Sequence, residues 1–218
     1  MLSLKKFLYL VVLIGFSSVH AGSYEDFFQA VKNDDARSIK ALLARGFDPN
    51  TVDPGGIYGL IWAVRTSSFK AVDVLLDDPA TKVEVRTPQD ESALMLAALK
   101  GNVELCKKLI AKDADVNKPG WAPLHYAATS AHLDVMKLLL ENAAYIDASS
   151  PNGSTPLMMA AMYGNAYAVK LLLDAGADPT IKNSLGLTAI DFAQKADRKD
   201  SVELIAAAIR GALPKGSW

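Results

Sequence analysis

The same pattern of apolar and polar positions recurs six times along this chain. Its leading apolar residue stands at intervals of 33, 34, 30, 33 and 33 residues, at Phe27, Leu60, Leu94, Leu124, Leu157 and Ile190. In each copy an apolar stretch is interrupted by polar or glycine residues and followed by a second apolar stretch. This arrangement predicts two short antiparallel helices and a connecting loop per copy.

A helix pair of this size cannot bury its apolar face alone. Copies must therefore stack on one another, and the stack presents an extended surface. Such a surface is suited to holding a partner, so the repeat favours recognition over catalysis.

Residues 153–179 form the clearest copy. Thr155-Pro156 suits a helix start, because proline fits the first turn, where its missing N–H has no bond to lose. Gly164-Asn165 separates this helix from a second one. We expect the second helix to end at Gly176, in a conformation of positive φ.

These motifs resemble the ankyrin repeat. The fourth copy carries the Pro-Leu-His signature at Pro123-Leu124-His125, with Ala122 in place of threonine, and five in-phase recurrences make the resemblance specific. It implies an all-α fold, an ankyrin repeat solenoid of about six helix-turn-helix units with short finger loops. The predicted units lie near residues 24–53, 54–86, 87–117, 118–147, 148–180 and 181–211, in a domain spanning 22–211 and followed by a flexible tail at 212–218.

The first 21 residues have the features of a signal peptide. Lys5 and Lys6 precede an apolar run at 7–16, and small residues at Val19 and Ala21 suit cleavage after Ala21. The alternative is an uncleaved anchor, but the run is shorter than the ~20 residues that span a bilayer. The expected location is the periplasm or outside the cell, with no stable membrane anchor after cleavage.

Net charge indicates which class of partner to expect, and cysteine content indicates the compartment. Without Lys5 and Lys6 the chain has 21 basic against 24 acidic residues, a net charge of −3, which disfavours a nucleic-acid partner. Its single cysteine, Cys106, falls in a second helix, where we expect it to be buried and inert. A secreted animal domain would often carry cysteine pairs, so a Gram-negative periplasm is the preferred compartment. We expect the free protein to be a monomer.

The sequence offers no catalytic or metal-binding constellation and implies no cofactor. Outside the first 21 residues the only histidines are His125 and His132, and neither has a second ligand at metal-binding spacing. The resemblance implies that His125 hydrogen-bonds the neighbouring finger. His132 falls at an inter-helix turn, where a histidine often caps a helix or faces water. We therefore do not expect an enzyme.

The ankyrin resemblance also indicates where a partner binds. In that family the variable, exposed positions follow the glycine of each finger and end each first helix. Carried onto this chain, the predicted partner-binding residues are Ile57, Arg65, Glu91, Leu99, Lys100, Trp121, Thr129, Ser130, Met162, Tyr163, Leu187 and Lys195. Trp121 and Tyr163 are the predicted anchors, because interface aromatics contribute about 2 kcal/mol or more each. The alternative is that some of these side chains fold back onto neighbouring fingers.

Inward positions of the first helices are expected to form the stacking core instead. These positions hold Trp62, Leu96, Tyr126 and Met159.

Two departures from the repeat are informative. The step from Leu94 to Leu124 is 30 residues rather than 33, which predicts a clipped finger around 118–121 that turns Trp121 toward the concave side. The helix-end slot held by Gly46 and Gly176 is filled by Ala143 in the fourth copy, which predicts backbone strain there.

Three functions remain open from the sequence. The leading one is a non-catalytic scaffold or assembly factor for another exported protein. Resemblance to exported bacterial ankyrin proteins makes a stress-protective enzyme such as catalase one candidate client. The second is an immunity protein that plugs the active site of a periplasmic toxin. The third, an enzyme or small-ligand binder, needs a polar pocket that the sequence does not show. Fold alone does not separate the first two.

Overall fold

Several helices begin where the chain supplies a capping residue ahead of an apolar stretch. Asn102 and Asn165 accept hydrogen bonds from the backbone N–H groups of Leu105 and Ala168, at 2.9 and 3.0 Å, and so satisfy donors that a helix start leaves free. Proline occupies the first turn at Pro123 and Pro156.

The computed structural model describes residues 22–212, so the predicted signal peptide and most of the predicted tail lie outside the described residues. Apart from isolated bridge residues, at Val52 and Tyr58 and at Arg86 and Ser92, this part of the chain consists of helices, turns and loops, which confirms the all-α prediction. The helices are α1 (22–32), α2 (Ala36–Ala44), α3 (Gly59–Thr66), α4 (Phe69–Asp77), α5 (Ala93–Leu99), α6 (Val103–Ile110), α7 (Pro123–Thr129), α8 (Leu133–Glu141), α9 (Pro156–Met162), α10 (Ala166–Asp174), α11 (Ala189–Lys195) and α12 (Lys199–Ala212). Within residues 22–212, no helix is long and apolar enough to cross a membrane.

The described residues divide into two compact units, residues 22–90 and 91–212. In the described part of the first unit, α2 and α3 each pack against α4. Phe27 is fully buried, and a Cβ on Gly59 would stand 2.6 Å from its ring, so only glycine lets α3 approach α1 this closely.

In the second unit the first helices of successive pairs pack side by side. Helix α5 contacts α7, α7 contacts α9, and α9 contacts α11. The second helices cover this row and contact one another as well, α6 with α8 and α10 with α12. Leu94, Leu124 and Leu157, the leading apolar residues of their copies, are buried in this unit, as the repeat requires.

The helix-end slot adopts the left-handed conformation predicted for it. Gly46 and Gly176 have φ of +86° and +98°, and Ala143 has φ of +61°. For alanine this conformation places Cβ too close to the backbone, at a cost of about 1 kcal/mol.

We therefore expect Ala143→Gly to raise the free energy of unfolding by about 0.5–1 kcal/mol. The matched control is Ala175→Gly, because Ala175 ends α10 with φ of −81° and should lose a similar amount of stability instead. Urea unfolding of both variants measures the effect. A lower midpoint for Ala143→Gly would contradict the prediction.

Loops of neighbouring repeats are joined by a side-chain amide. Asn117 donates from its side-chain nitrogen to the carbonyl of Ala143 at 2.8 Å and accepts the N–H of Tyr145 at 2.7 Å. In the first unit, Asn50 makes the same pair of bonds to the loop after α4. The equivalent residue of the next repeat is Asp147, which only accepts, from the N–H of Asp178 at 3.2 Å. Burial, with the nearby Asp178 carboxylate, raises the pKa of Asp147.

Asp147→Asn is expected to raise the free energy of unfolding at neutral pH by about 1 kcal/mol, because an amide supplies the missing donor and removes a partly buried charge. A raised folded-state pKa means that the folded chain holds this proton more tightly. Stability is therefore lost as pH rises from 3.8 through the folded pKa, and the asparagine variant should lack that loss. Urea titrations at several pH values measure both effects. Equal stability of the two proteins at pH 7 would contradict the prediction.

Candidate functional site

Ends of the first helices in the second unit form a row, because α5, α7, α9 and α11 pack side by side. The side chains of Leu99 and Tyr163 are 38% and 57% exposed there. Of the other predicted residues in this row, Lys100, Ser130 and Lys195 are exposed, and Thr129 and Met162 are half-buried. We call the seven residues just named the helix-end row. It places an exposed tyrosine ring and an exposed leucine beside two lysines on neighbouring helix ends.

Finger positions behave differently from helix ends. Trp121, Glu91 and Leu187 are half-buried in the second unit, and the N–H of Leu187 is held by the side-chain oxygen of Asn183 at 3.0 Å. Ser154, at the corresponding position of the fifth copy, is buried. The side chains of these finger residues are therefore less exposed than the resemblance implies.

The predicted exposure of Ile57 is wrong. In the first unit Ile57 is only 7% exposed, because its finger turn closes on Asp53. The N–H of Ile57 donates to the Asp53 carboxylate at 2.8 Å, and its carbonyl accepts the N–H of Asp53 at 2.9 Å. A closed turn of this kind directs the isoleucine into the core of its own unit. Arg65, in the same unit, is half-buried and makes an interaction within the protein.

The clipped finger is shortened on both sides of Lys118. Four residues lie between Asp113 and Lys118, and three lie between Lys118 and Ala122. In the next finger six residues lie between Ala143 and Ser150, and four lie between Ser150 and Thr155. Its Trp121 lies edge-on to the ring of His125, with ring centres 5.2 Å apart and planes at 77°. The tryptophan is thus oriented by a buried residue and keeps part of its surface free.

His125 joins two neighbouring repeats, as predicted. Its Nδ1 accepts the N–H of Ala122 at 3.1 Å, and its Nε2 lies 3.0 Å from the carbonyl of Ser154 in the next finger. These partners require the tautomer with the proton on Nε2, which donates to that carbonyl. Burial is the main cause that lowers the pKa of His125, so its ring is neutral at pH 7.

His132 also joins repeats, a role that the sequence did not reveal. Its Nε2 lies 3.0 Å from the carbonyl of Leu99, at the end of α5. The ring packs against Gly101, where a Cβ would stand 2.5 Å from Nδ1. The sequence signal for this contact would have been the pairing of His132 with Gly101 in the preceding repeat.

The predicted stacking core is only partly buried. Leu96 and Met159 are buried in the second unit, whereas Tyr126 and, in the first unit, Trp62 are half-buried. The Trp62 indole donates to the Asp53 carboxylate at 2.7 Å, and Lys32 Nζ lies 4.6 Å from its ring centre. The Trp62 ring thus reaches past the core to a polar partner for its N–H.

Cys106 is buried, as predicted, and burial raises the pKa of its thiol to about 12. It is therefore a thiol rather than a reactive thiolate at neutral pH. Within residues 22–212, no group of histidine, cysteine, aspartate and glutamate side chains is placed to hold a metal ion.

Within residues 22–212, the exposed aromatic residues outside the predicted set are Phe69, Tyr145 and Tyr167. Tyr145 stands in a loop position that other repeats fill with Asp48, Asp115 and Asp178. That substitution of a ring for a carboxylate was visible in the aligned copies.

Comparisons with known proteins agree with the repeat architecture described above. A family model described as ankyrin repeats (3 copies) matches residues 27–119 and 80–150, and one described as ankyrin repeats (many copies) matches residues 143–193. The chain is 30% identical over 176 residues to the tyrosine-protein kinase Shark of Drosophila melanogaster, covering 78% of this chain and 19% of the kinase. It is 28% identical over 182 residues to an ankyrin repeat-containing protein of Treponema pallidum, covering 79% of this chain and 59% of that protein. The chain thus spans less than two thirds of the length of these curated relatives.

Solved structures share the fold over most of the chain. The human ASB11 ankyrin repeat domain superposes with a TM-score of 0.74 at 25% identity, covering 87% of this chain and 85% of that one. A chain from the complex of a predatory endopeptidase of Bdellovibrio bacteriovorus with an immunity protein superposes with a TM-score of 0.72 at 25% identity. That match covers 84% of this chain and 97% of the other.

Proposed function

Because this chain belongs to the ankyrin repeat family, whose repeats are protein–protein interaction modules, we propose that it is a non-catalytic scaffold or assembly factor. Its client is another exported protein, and a part in stress protection, through a client that is a stress-protective enzyme, is one role. The observation that carries the proposal is the helix-end row, which offers a 57% exposed tyrosine on helices that pack side by side. Packed helices lose less conformational freedom on binding than a loop does, which favours affinity.

The proposed contact residues are the helix-end row with Trp121, Glu91 and Leu187. Tyr163 and the free part of Trp121 act as anchors, because large rings bury much surface with few rotatable bonds. Lys100 and Lys195 lie at the rim, where exposed charges mainly affect association rate and specificity. The partly accessible Arg65 of the first unit is also proposed to contact the partner. Ile57 is not among the proposed contact residues, because it is buried.

We place the protein in the periplasm, or outside the cell, on the strength of the sequence of residues 1–21. The test is the amino terminus of the protein recovered from a periplasmic fraction. A chain that begins at Gly22 supports export with cleavage after Ala21. A chain that retains residue 1, found only in the cytoplasm, overturns it.

The binding proposal is tested with the Trp121→Ala/Tyr163→Ala double variant. We expect it to reduce client affinity by roughly a thousandfold, because two anchors of about 2 kcal/mol each are removed. The measurement is recovery of bound protein from periplasmic extract, followed by titration with the purified client. Tyr145→Ala is the matched control, since this exposed tyrosine lies outside the proposed surface. A client bound equally by wild type and double variant would contradict the proposal.

A second candidate function is an immunity protein, and one observation favours it. A chain from an endopeptidase complex with an immunity protein shares this fold over 97% of its own length. In this role the helix-end row would cover the active site of a periplasmic toxin. Deletion of the gene would then be harmful only when the cognate toxin is present, whereas loss of a client's assembly without any toxin favours the scaffold.

A further inference from the structure

A groove on the second unit lies apart from the proposed contact residues. It runs between the second helices α8 and α10 as an open groove with a volume of about 500 Å³. Its apolar lining consists of Leu133, Leu140, Leu171 and Ala175, with Tyr167 at one end. None of the predicted partner-binding residues lines it.

Tyr167 is the most conspicuous residue of this groove. Its side chain is 72% exposed, and it also borders a second cavity of about 550 Å³ toward the start of α12. A large ring left in solvent beside an apolar floor is typical of a surface that is covered by another protein.

Charges along the groove are arranged in two bands. Helices α8 and α10 occupy equivalent places in successive repeats, so Lys137 corresponds to Lys170 and Glu141 corresponds to Asp174, 33 residues apart. The two lysines form a positive band. Four residues later, about 6 Å along the helices, the two carboxylates form a negative band.

We propose that this groove binds a second copy of the chain, related by a two-fold axis that crosses the groove between the bands. The axis makes α8 and α10 of the two copies antiparallel, so the positive band of each copy faces the negative band of the other. Bands of opposite sign on either side of the axis make the groove self-complementary, as a two-fold interface requires. The pattern thus identifies the occupant as another molecule of this protein, in place of the monomer expected from the sequence.

The same orientation also places a large side chain of each copy opposite a small one of the other. Tyr167 lies near the amino-terminal end of the groove and Ala175 lies at the opposite end. An antiparallel copy therefore brings the ring of Tyr167 toward Ala175 of the other molecule, where a small side chain leaves space. Burial of both rings supplies affinity, while the charge bands set the register.

Affinity is expected to be modest and dependent on salt. Lys170 already pairs with Asp174 at 2.6 Å in the same helix, and their side chains are 59% and 63% exposed. Association replaces such ion pairs within one helix by ion pairs between the two copies. The net electrostatic gain is therefore small, and it is screened at high ionic strength.

The experiment is sedimentation equilibrium of the full chain over a wide range of protein concentration. The wild type is expected to shift from monomer to dimer as concentration rises, and less so at high salt. Lys137→Glu/Lys170→Glu makes all four charges negative, and Glu141→Lys/Asp174→Lys makes all four positive. Each variant alone should be monomeric, with at least about a tenfold weaker self-association.

Mixing these two variants is the decisive step, because the negative groove of one then faces the positive groove of the other. A heterodimer in the mixture, and a restored homodimer when all four substitutions are combined, are the expected results. Tyr167→Ser should weaken the dimer, whereas Tyr145→Ser, at another exposed tyrosine, should not. Circular dichroism verifies that each variant is folded.

Three results would overturn the proposal. The first is a wild type that stays monomeric at every concentration, which would leave the groove to a different partner. The second is a dimer that persists when either band is reversed, which would place self-association on another surface. The third is a mixture of the two reversed variants that forms no heterodimer.

Discussion

Replacing His125 by alanine is expected to lower the free energy of unfolding by about 3 kcal/mol, one of the two largest effects we predict for a single side chain. The substitution removes the acceptor of the buried Ala122 N–H and the donor to the Ser154 carbonyl. Ser154 keeps the N–H of Ser150 at 3.0 Å, but no described bond replaces the acceptor of Ala122. An unpaired buried N–H and a cavity the size of an imidazole account for the loss.

The pH dependence of stability provides a second readout for His125. Its folded-state pKa lies below the ordinary value of 6.5, so the unfolded chain takes up this proton more readily. Stability therefore falls as pH decreases below about 6.5 in the wild type, and the alanine variant should lack this component.

Urea unfolding at pH 7.5 and pH 5.5 measures both effects of His125→Ala. His132→Ala is the control, because that ring is half-buried and makes a single bond to a carbonyl, so its loss should cost about 1 kcal/mol. Equal midpoints for the two alanine variants would contradict the special role of His125.

Gly164→Ala is expected to lower the free energy of unfolding by about 3 kcal/mol as well. A Cβ at this position would stand 2.6 Å from the carbonyl oxygen of Ala128, at the neighbouring helix α7. It would also stand 2.8 Å from the carbonyl oxygen of Ala160. Both obstacles are backbone atoms, so no rotation of a side chain relieves the contact, and α7 and α9 must separate.

Gly55→Ala is the matched control for Gly164→Ala. A Cβ on Gly55 meets only the side chain of Asp53, at 3.2 Å, and Gly55 is exposed. We expect a change within about 0.5 kcal/mol there, as for surface substitutions in general. Thermal unfolding followed by circular dichroism compares the two variants. A Gly164→Ala protein as stable as the wild type would show that α7 and α9 can separate without cost.

Gly164 also shows which part of a residue's role can be predicted from the sequence. The Gly-Asn pair correctly predicted the break between two helices. Its backbone does not fall in the positive-φ region, so the glycine is needed for close approach to α7 rather than for a left-handed turn. Only the packing of two helices from different repeats reveals that reason.

The sequence by itself determined the features that follow from local periodicity. The regular spacing predicted paired helices, the Pro-Leu-His motif predicted the bond from His125 to the next finger, and the alignment of helix ends predicted the conformation of Ala143. Burial of Cys106 followed in the same way from its place on a helix face. Each of these depends on which face of a helix a residue occupies, and the 3.6-residue period fixes that face.

Tertiary structure alone decided where finger side chains point and which surfaces lie together. Ile57 is buried because hydrogen bonds to Asp53 close its turn, and Ser154 is buried although the repeat places it among exposed positions. The groove beside Tyr167 exists because residues 33 apart become neighbours. Loop direction and contacts between repeats depend on non-local hydrogen bonds and packing, and no period in a single sequence encodes either of them.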